Sequence, residues 1–406
     1  MTIDLYDPDG YVAGPPHETF ARLRREQPVF WQEMPHEPGY WAVLRHADVM
    51  HVARHPLVFS AAKGGVVLEN LDADQLAMMQ DMILSMDPPR HVEYRRNVAP
   101  HFKARVMAGI EGQIRDQCRS IMAEAADLVA ERGEVDFVHD VCAPLPTQII
   151  GELVGIPLED RPNIHHWAER ITGGQDDEIA AIDESQGDDA SMEGSIQIAM
   201  YAIGLANARR ADPRVDLMTV MLATEVDGQP MDDMGIGSFF VQLIVAGNDT
   251  SRTMLSSGLL ALLQHPDQLA ELRADRSLIP GAVEEMLRWA NPLHYFRRTA
   301  SEDTELSGQA IAAGDKVAMI YTSANRDEDV FADSQAFDIH RSPNPHLSFG
   351  IAEHFCLGVH LARLEGRVFF DELLDTFSTI ELVGEPRRQR SNLNNALKSL
   401  PVHLER

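Results

Sequence analysis

The chain has 406 residues, of which 63 are acidic and 35 are lysine or arginine, so its formal net charge is −28. Such an acidic surface repels phosphate backbones, which excludes a general nucleic-acid partner and favours high solubility. The cysteines, Cys118, Cys142 and Cys356, lie far apart and form no CxxC pair. This spacing excludes an all-cysteine zinc site and a disulfide framework, and it is typical of a reducing cytoplasm.

The first part of the chain, to about residue 60, mixes β-prone stretches with proline and glycine turns. This mixture predicts short strands and short helices. The N-terminus has neither a basic start nor an apolar run, so we expect no signal peptide and no membrane anchor. From about 90 to 265 the hydrophobic spacing is mainly helical, as in 107–130 and 195–211.

Residues 173–195 interrupt this helical pattern with many acidic residues and no basic one. We interpret the segment as a solvated loop, and the alternative is a mobile lid between two helices. Further along, the pattern predicts a helix over about 280–290, strand-like pieces in AMIYTSA, a turn-rich stretch over 325–348, a helix over about 358–376 and a C-terminal hairpin around SNLNNALKS. The whole chain, 1–406, is therefore predicted to form one mainly helical domain with a small β component.

Cys356 lies between Gly350 and Gly358, directly before an amphipathic helix. Glycine lets a backbone approach a flat ligand closely, and the free N–H groups at a helix start stabilise a thiolate. A buried thiolate suits an iron porphyrin that splits dioxygen, because it pushes electron density toward the O–O bond.

Two other uses of Cys356 stay open at this point. A lone buried cysteine is commonly structural. A zinc site is the second alternative, although its spacing matches no standard pattern of ligands; the ligands would be Cys356, His346, His354 and His360.

Residues 239–263 are apolar nearly all round, which predicts a central buried helix. Its middle contains Gly247 and Asp249, although glycine costs about 1 kcal/mol in a helix and a buried carboxylate needs a partner. A hydroxyl beside a carboxylate can pass protons inward, so Thr250 and Asp249 are candidate relay residues. In the alternative, Thr250 bonds back to the carbonyl of Ala246 and Asp249 lies in solvent.

Charged residues at helical spacing form two further candidate groups. Glu285 and Arg288 stand at i, i+3, and taken alone they form an exposed ion pair of little energetic weight. His91 and Arg95 stand at i, i+4, and Arg298 lies in YFRRTA; each could be an ordinary surface residue or a partner for an anionic group.

The run Phe349-Gly350-x-x-x-His354-x-Cys356-x-Gly358 resembles the cysteine signature of the cytochrome P450 family. The central helix, the ExxR pair and ANRDEDVF are similar to other landmarks of that family, in the same order. The resemblance implies a triangular helical prism with haem b (iron protoporphyrin IX) between the central helix and the cysteine loop. The family usually has glycine where this chain has Ala352, and a methyl group there could alter the backbone conformation of the loop.

The resemblance also implies residue roles. Cys356 would be the iron ligand, and the other haem contacts would be His91, Arg95, Ala246, Gly247, Arg298 (rather than Arg297), Phe349, His354 and Gly358. Thr250 and Asp249 would relay protons, and Arg341 would complete a structural triad with Glu285 and Arg288. By analogy, substrate contacts would come from the loop over 64–67 with Val67, from the segment over 393–396 with Asn394, and from Val245, Ala246, Leu293 and His294.

The implied reaction is insertion of one oxygen atom from O₂ into a hydrophobic small molecule. The stretch over 289–350 is similar to that of bacterial members that oxidise sterols, methyl-branched lipids and terpenoid alcohols. The chain has no flavin, nicotinamide or iron–sulfur motif, so electrons would come from a ferredoxin or flavodoxin with its reductase. We expect this donor to dock at a basic group, Arg95, Arg96, Lys103 and Arg105.

Two alternatives come from other classes of protein. The chain could be a non-catalytic haem-binding sensor or carrier, or a helical zinc or scaffold protein without haem. An intact Asp249–Thr250 pair argues against the first of these. We expect the protein to work in the cytoplasm, without a membrane or nucleic-acid partner.

Overall fold

The computed structural model describes residues 3–180, 190–226 and 228–406. These residues are mainly helical. Their α-helices are α1 (His17–Glu26), α2 (His46–Arg54), α3 (Ala73–Gln80), α4 (Arg90–Val98), α5 (Ala104–Ala108), α6 (Glu111–Arg132), α7 (Pro144–Val154), α8 (Arg161–Thr172), α9 (Asp177–Ala180), α10 (Ala190–Ala211), α11 (Leu217–Leu222), α12 (Asp233–Gln264), α13 (Pro266–Ala274), α14 (Ile279–Trp289), α15 (Tyr321–Ala324) and α16 (Val359–Thr376).

The strands are short. They are β1 (Val29–Gln32), β2 (Tyr40–Val43), β3 (Phe59–Ser60), β4 (Val135–Asp136), β5 (Glu225–Val226), β6 (Gln229–Pro230), β7 (Tyr295–Ala300), β8 (Thr304–Leu306), β9 (Gln309–Ile311), β10 (Lys316–Ile320), β11 (Thr379–Leu382), β12 (Arg387–Arg388), β13 (Leu397–Ser399) and β14 (Pro401–Glu405). The largest sheet has the order β1-β2-β10-β7-β3, in which β2 and β10 are parallel and the other neighbours are antiparallel. A second sheet has the order β11-β14-β4.

The central helix α12 organises the core. It has 32 residues and is therefore about 48 Å long at 1.5 Å per residue. Its first half, 236–244, packs into a hydrophobic cluster with α8 and α10, whereas 254–262 packs with α6, α14 and α16. Helix α12 is thus buried along most of its length, with one cluster packed against its first half and the other against its second half, as its apolar sequence predicts.

The main predicted elements are confirmed, with differences at their ends. The helix predicted over 280–290 is α14, and the helix predicted over 358–376 is α16. In AMIYTSA the strand prediction is wrong after Ile320, because Tyr321 starts the helical turn α15 and its carbonyl accepts from the Asn325 N–H at 2.8 Å. The C-terminal hairpin is β12 with β13, and LKS itself forms the second strand.

The prediction of a solvated acidic loop is wrong for the described part of 173–195, and 181–189 lie outside the described residues. Helix α9 and the start of α10 occupy the two flanks. Asp176 is 2% exposed, accepts a hydrogen bond from the Arg390 N–H at 2.9 Å and pairs with Lys398 at 3.0 Å. The acidic composition did not indicate that one carboxylate is buried, because its cationic partner lies more than 200 residues further along the chain.

In the described part of the chain, no helix combines the length and apolarity needed to cross a bilayer.

Candidate active site

A largely apolar cavity lies between α12 and the loop that precedes α16, and with its mouth it encloses about 1550 Å³. Elements distant in sequence contribute to its wall, including α4, α12, β7 and the start of α16. The sequence-predicted residues that line it are His91, Arg95, Ala246, Gly247, Thr250, Leu293, Arg298, Phe349, His354, Cys356 and Gly358.

The cysteine loop holds Cys356 at the start of α16. The Cys356 N–H donates to the carbonyl of Phe349 at 2.8 Å, which closes the loop around the sulfur. Burial raises the pKa of the Cys356 thiol, against a hydrogen bond from the Gly358 N–H and the charges of Arg95 and Arg363. Cys356 is half-buried, lines the cavity and already has a donor directed at its sulfur, which is the environment that a metal-bound thiolate needs.

Two residues of this loop have left-handed backbone conformations. Gly350 has φ +66°, which glycine adopts without strain. Ala352 has φ +57°, a conformation that crowds the Cβ of an L-residue against the backbone. The loop thus adopts the shape that a glycine would favour at position 352, although the side chain there is a methyl group.

Cationic and N–H groups converge beside the cysteine. The rings of His91 and His354 lie 4.2 Å apart, and the buried His91 Nδ1 and His354 Nε2 have no hydrogen-bond partner within the described residues. Burial, with the charges of Arg95 and Arg298, lowers the pKa of His91 to about 4. Burial, Arg298, His91 and Arg95 lower the pKa of His354 to about 2.

This donor set fits haem. Two propionates inside a protein require cationic or hydrogen-bonding partners, and the unpartnered histidine nitrogens beside two arginines provide them. Strand geometry explains why Arg298 is part of the set and Arg297 is not. Successive residues of a strand point to opposite faces, so Arg298 lines the cavity while the Arg297 guanidinium donates to the carbonyls of Val67 and Glu69 at 3.3 and 3.2 Å.

On α12, the cavity wall contains Ala246, Gly247 and Thr250 but not Asp249. The Thr250 hydroxyl donates to the Ala246 carbonyl at 2.7 Å, as the alternative interpretation proposed. Asp249 pairs with Arg252 at 2.9 Å, and Arg252 also binds Glu169 at 2.8 Å. The Asp249 side chain is 13% exposed, so it lies neither in solvent nor at the cavity.

The structure brings Glu285, Arg288 and Arg341 together. Arg288 binds Glu285 at 2.6 Å, and both side chains are fully buried. Arg341 reaches the same carboxylate at 3.1 Å. Arg288 also donates to the carbonyls of Asn325 and Ser334, so the triad fastens α14 to the turn-rich stretch before the cysteine loop. The exposed-pair interpretation is therefore wrong.

Several predicted substrate residues lie elsewhere. Arg297 holds the Val67 loop by its carbonyls, and Val245 packs into the cluster with α8 and α10. His294 is buried between the Tyr11 ring, at 4.7 Å, and the Thr322 hydroxyl, at 2.9 Å. The Asn394 amide donates to the Thr172 carbonyl at 3.0 Å. Of the predicted substrate residues, Ala246 and Leu293 line the cavity.

Residues that the sequence-based prediction missed also line the cavity. Phe239, Gln242 and Leu243 precede Ala246 on α12, and their spacing on the helix could have indicated them. Glu365, on α16, accepts from the Ser251 hydroxyl at 2.7 Å, and burial raises its pKa to about 7. No local sequence signal distinguishes Glu365 from an exposed glutamate.

The zinc alternative is not supported. The described residues contain no group of three or more histidine, cysteine, aspartate or glutamate side chains that could hold a metal ion. His346 pairs with Glu284 at 3.1 Å, and His360 is exposed on α16.

The fold, with a cysteine and a set of cationic groups at its cavity, is that of a haem-binding protein. The family model "Cytochrome P450" matches residues 199–405. The chain is 41% identical to a methyl-branched lipid omega-hydroxylase of Mycobacterium tuberculosis (94% of this chain, 90% of the relative) and 38% identical to a linalool 8-monooxygenase of Pseudomonas putida (99% and 98%). It is 36% identical to a steroid C26-monooxygenase of Rhodococcus jostii (98% and 84%).

Solved structures agree with this assignment. A Mycobacterium marinum cytochrome P450 in complex with pseudoionone superposes with a TM-score of 0.90 at 39% identity, over 99% of this chain and 98% of that one. The chain belongs to the cytochrome P450 family. It is a haem-dependent monooxygenase of hydrophobic substrates, which excludes the sensor or carrier alternative.

Proposed function

We propose that residues 1–406 work as one haem-thiolate domain in which Cys356 is the iron ligand, and that the substrate is a terpenoid, steroid or lipid. The observation that carries the proposal is the Cys356 sulfur, with the Gly358 N–H directed at it, in a cavity whose opposite wall is α12. The curated relatives are named for steroids, methyl-branched lipids and linalool, and the Mycobacterium marinum structure holds pseudoionone.

Haem supplies the iron at which dioxygen is reduced and split. The chain's own residues hold and surround it: His91, Arg95, Arg298 and His354 bind the propionates, while Phe349 and Gly358 shape the cysteine loop. Thr250 holds a proton at the cavity wall, and its hydroxyl must leave the Ala246 carbonyl to donate elsewhere. Asp249 can take part only after its carboxylate turns away from Arg252.

The proton role of Thr250 has a direct test. In Thr250→Ala we expect substrate binding to persist while NADH oxidation yields mainly hydrogen peroxide in place of hydroxylated product. The measurement is the ratio of product to NADH consumed, with Thr253→Ala as the control, because Thr253 is buried on the same helix and does not line the cavity. Unchanged coupling in Thr250→Ala would remove the residue from the relay.

We propose that the electron donor is an acidic ferredoxin, with a flavodoxin as the alternative, and that it docks beside the cysteine loop. Arg96, Lys103 and Arg105 are exposed there, and Arg95 donates from its guanidinium to the Phe355 carbonyl, one residue from Cys356. In a chain of net charge −28, a local basic group can steer an acidic partner to this face.

Charge reversal tests the docking face. Arg96→Glu with Lys103→Glu should slow reduction by an acidic ferredoxin and flatten its dependence on salt. Arg214→Glu is the control, because Arg214 is 62% exposed and lies outside this group. If the control and the double variant behave alike, the docking proposal fails.

We also propose that the protein works in the cytoplasm, because Cys118 and Cys142, the two cysteines not proposed to bind iron, form no disulfide, which suits a reducing compartment.

The absorption spectrum of the reduced, carbon monoxide-bound protein tests the central proposal. A strongly red-shifted Soret band in the wild-type protein, lost in Cys356→His, is expected for a thiolate ligand. A band at the position typical of histidine-ligated haem in the wild-type protein would contradict Cys356 as the ligand.

A further inference from the structure

The polar groups of the cavity are unevenly distributed. The arginines and histidines of the cavity lie beside the cysteine loop, where the propionates of haem would be their partners. On the helical side of the cavity Thr250 bonds to Ala246, and Ser251 bonds to Glu365. Gln242, on α12, is the one amide side chain among the described residues that line the cavity, and its neighbours there, such as Ile83, Phe239 and Leu243, are apolar. A polar side chain in such surroundings usually has a specific partner.

Gln242 makes one hydrogen bond within the described residues. Its Oε1 accepts from the Leu84 N–H at 3.3 Å. A backbone N–H can only donate, so this contact fixes which end of the amide faces Leu84. The Nε2 group is left with two donor hydrogens and no acceptor in the described part of the chain. The cavity therefore presents a hydrogen-bond donor that is complementary to an oxygen atom of a ligand.

The position of Gln242 on the helix sets a distance. Gln242, Ala246 and Thr250 follow each other at intervals of four residues, and all three line the cavity. Eight residues of α-helix span roughly 12 Å. A ligand oxygen bound at Gln242 would thus lie about this far, measured along α12, from the level of Thr250.

We propose that Gln242 is a specificity-determining residue that donates a hydrogen bond from Nε2 to a carbonyl or hydroxyl oxygen of the substrate. The preferred substrate is then an apolar chain with an oxygen atom at one end, oxidised at a carbon roughly 12 Å away. This inference rests on the proposed function, because it takes the level of Thr250 and Cys356 as the place of reaction.

Spectral titration of the ferric holoenzyme with a matched pair of ligands tests the proposal. Farnesol carries a terminal hydroxyl, and 2,6,10-trimethyldodeca-2,6,10-triene is the same skeleton without it. The wild-type protein should bind farnesol about tenfold more tightly than the hydrocarbon, which is the effect of one neutral hydrogen bond. Gln242→Leu should bind the two ligands with about equal affinity.

The ratio of the two affinities distinguishes loss of the proposed hydrogen bond to the ligand from a general structural defect of the variant. Gln242→Leu also leaves the Leu84 N–H unpaired, but this defect weakens both ligands alike and cancels in the ratio. Leu243→Val, at a neighbouring apolar position of the cavity, is the matched control and should weaken both ligands while the preference for farnesol stays.

The outcomes distinguish the inference from the proposed function. If the wild-type protein lacks the thiolate–carbon monoxide band, the proposed function itself fails. If that band is present and Gln242→Leu keeps the wild-type preference, the role of Gln242 is overturned while the monooxygenase assignment remains. Binding of neither ligand by a protein with the thiolate band would also overturn the inference.

Discussion

At the scale of single residues, Ala352 shows most directly how the cysteine loop departs from its optimum. Its φ of +57° costs an alanine about 1–2 kcal/mol relative to glycine, of which the higher unfolded-state entropy of glycine offsets a part. Ala352→Gly should therefore stabilise the holoprotein by about 0.5–1 kcal/mol in urea denaturation. Gly350→Ala, at φ +66°, is the reciprocal control and should destabilise it. Destabilisation by Ala352→Gly would show that the methyl group contributes packing that outweighs the strain.

Glu365 makes stability depend on pH. Burial raises its pKa from 4.5 to about 7, so the folded state disfavours the ionised carboxylate. The ionisation of Glu365 alone should cost about 3 kcal/mol of stability as pH rises from 4.5 to 7, seen as the difference between the wild-type protein and Glu365→Gln, because the unfolded chain releases this proton first. Glu365→Gln keeps an acceptor for Ser251 and should remove that loss.

The measurement is the free energy of unfolding of both proteins between pH 4.5 and 8. The two should be alike near pH 4.5 and differ most above pH 7. Glu372→Gln is the control on the same helix, because Glu372 binds Arg115 at 2.6 Å and its neutralisation should destabilise the protein. Equal pH profiles for wild type and Glu365→Gln would refute the assigned titration.

The residue scale also shows where prediction from sequence succeeds. Cys356, His354 and Arg298 were placed correctly at the cavity because a signature fixes their spacing relative to one loop or strand. The ion pair of Asp249 with Arg252, which keeps its carboxylate away from the cavity, was not predicted, because no sequence pattern indicates which neighbour a carboxylate will bind. The position of Gln242 at the cavity could have been found from its spacing to Ala246 and Thr250, whereas its hydrogen bond to Leu84 could not, because Leu84 comes from a distant segment.

At the scale of elements, the segment after α8 is fastened to the C-terminal hairpin. Asp176 binds Lys398 at 3.0 Å, and the Gln389 amide donates to the Thr172 carbonyl at 2.9 Å. Asn394 binds the same carbonyl and forms a β-bridge with Leu293, which lines the cavity. This segment is therefore linked through Asn394 to Leu293 of the cavity wall.

A double-mutant cycle measures that fastening. Asp176→Asn and Lys398→Met should show a coupling free energy of about 2 kcal/mol in denaturant unfolding, because Asp176 is 2% exposed and its charge has no water to replace the ammonium. The exposed pair Asp212 and Arg214 is the control and should couple by about 0–1 kcal/mol. Similar coupling for both pairs would mean that Asp176 is solvated on the folded protein.

Hydrophobic periodicity predicted which segments are helices, but it did not predict which elements contact each other. The apolar sequence of α12 and the amphipathic pattern of α16 were sufficient to predict both helices. The contact between Asp176 and Lys398 joins residues on either side of the central helix in sequence, and composition alone indicated the opposite environment for the acidic segment.

At the scale of the whole molecule, the cavity lies where the two core clusters meet. Ile150 and Phe239 belong to the first cluster, Met254 and Leu361 belong to the second, and all four line the cavity. Haem bound in this cavity would contact both clusters of the core. Because haem binds the folded chain, its removal should lower Tm. The corresponding loss in the free energy of unfolding is up to about 4 kcal/mol, the value for haem at a thousandfold its Kd.

Amide hydrogen exchange of the apoprotein shows which elements lose stability when haem is removed. Amides of α4 and the cysteine loop should exchange faster without haem, whereas those of β11 and β14, which lie in another sheet, should keep their protection. Added hemin should restore both Tm and protection. Uniform loss across the chain would mean that the apoprotein does not keep a folded core.

Helix α12 carries Gln242 and Thr250 two turns apart, while Cys356 lies on a different element. Mutations that alter the recognition end of this helix need not disturb the reactive end or the sulfur. Substitutions at a few positions of one helix can therefore change which compounds fit the cavity while Thr250 and Cys356 stay in place.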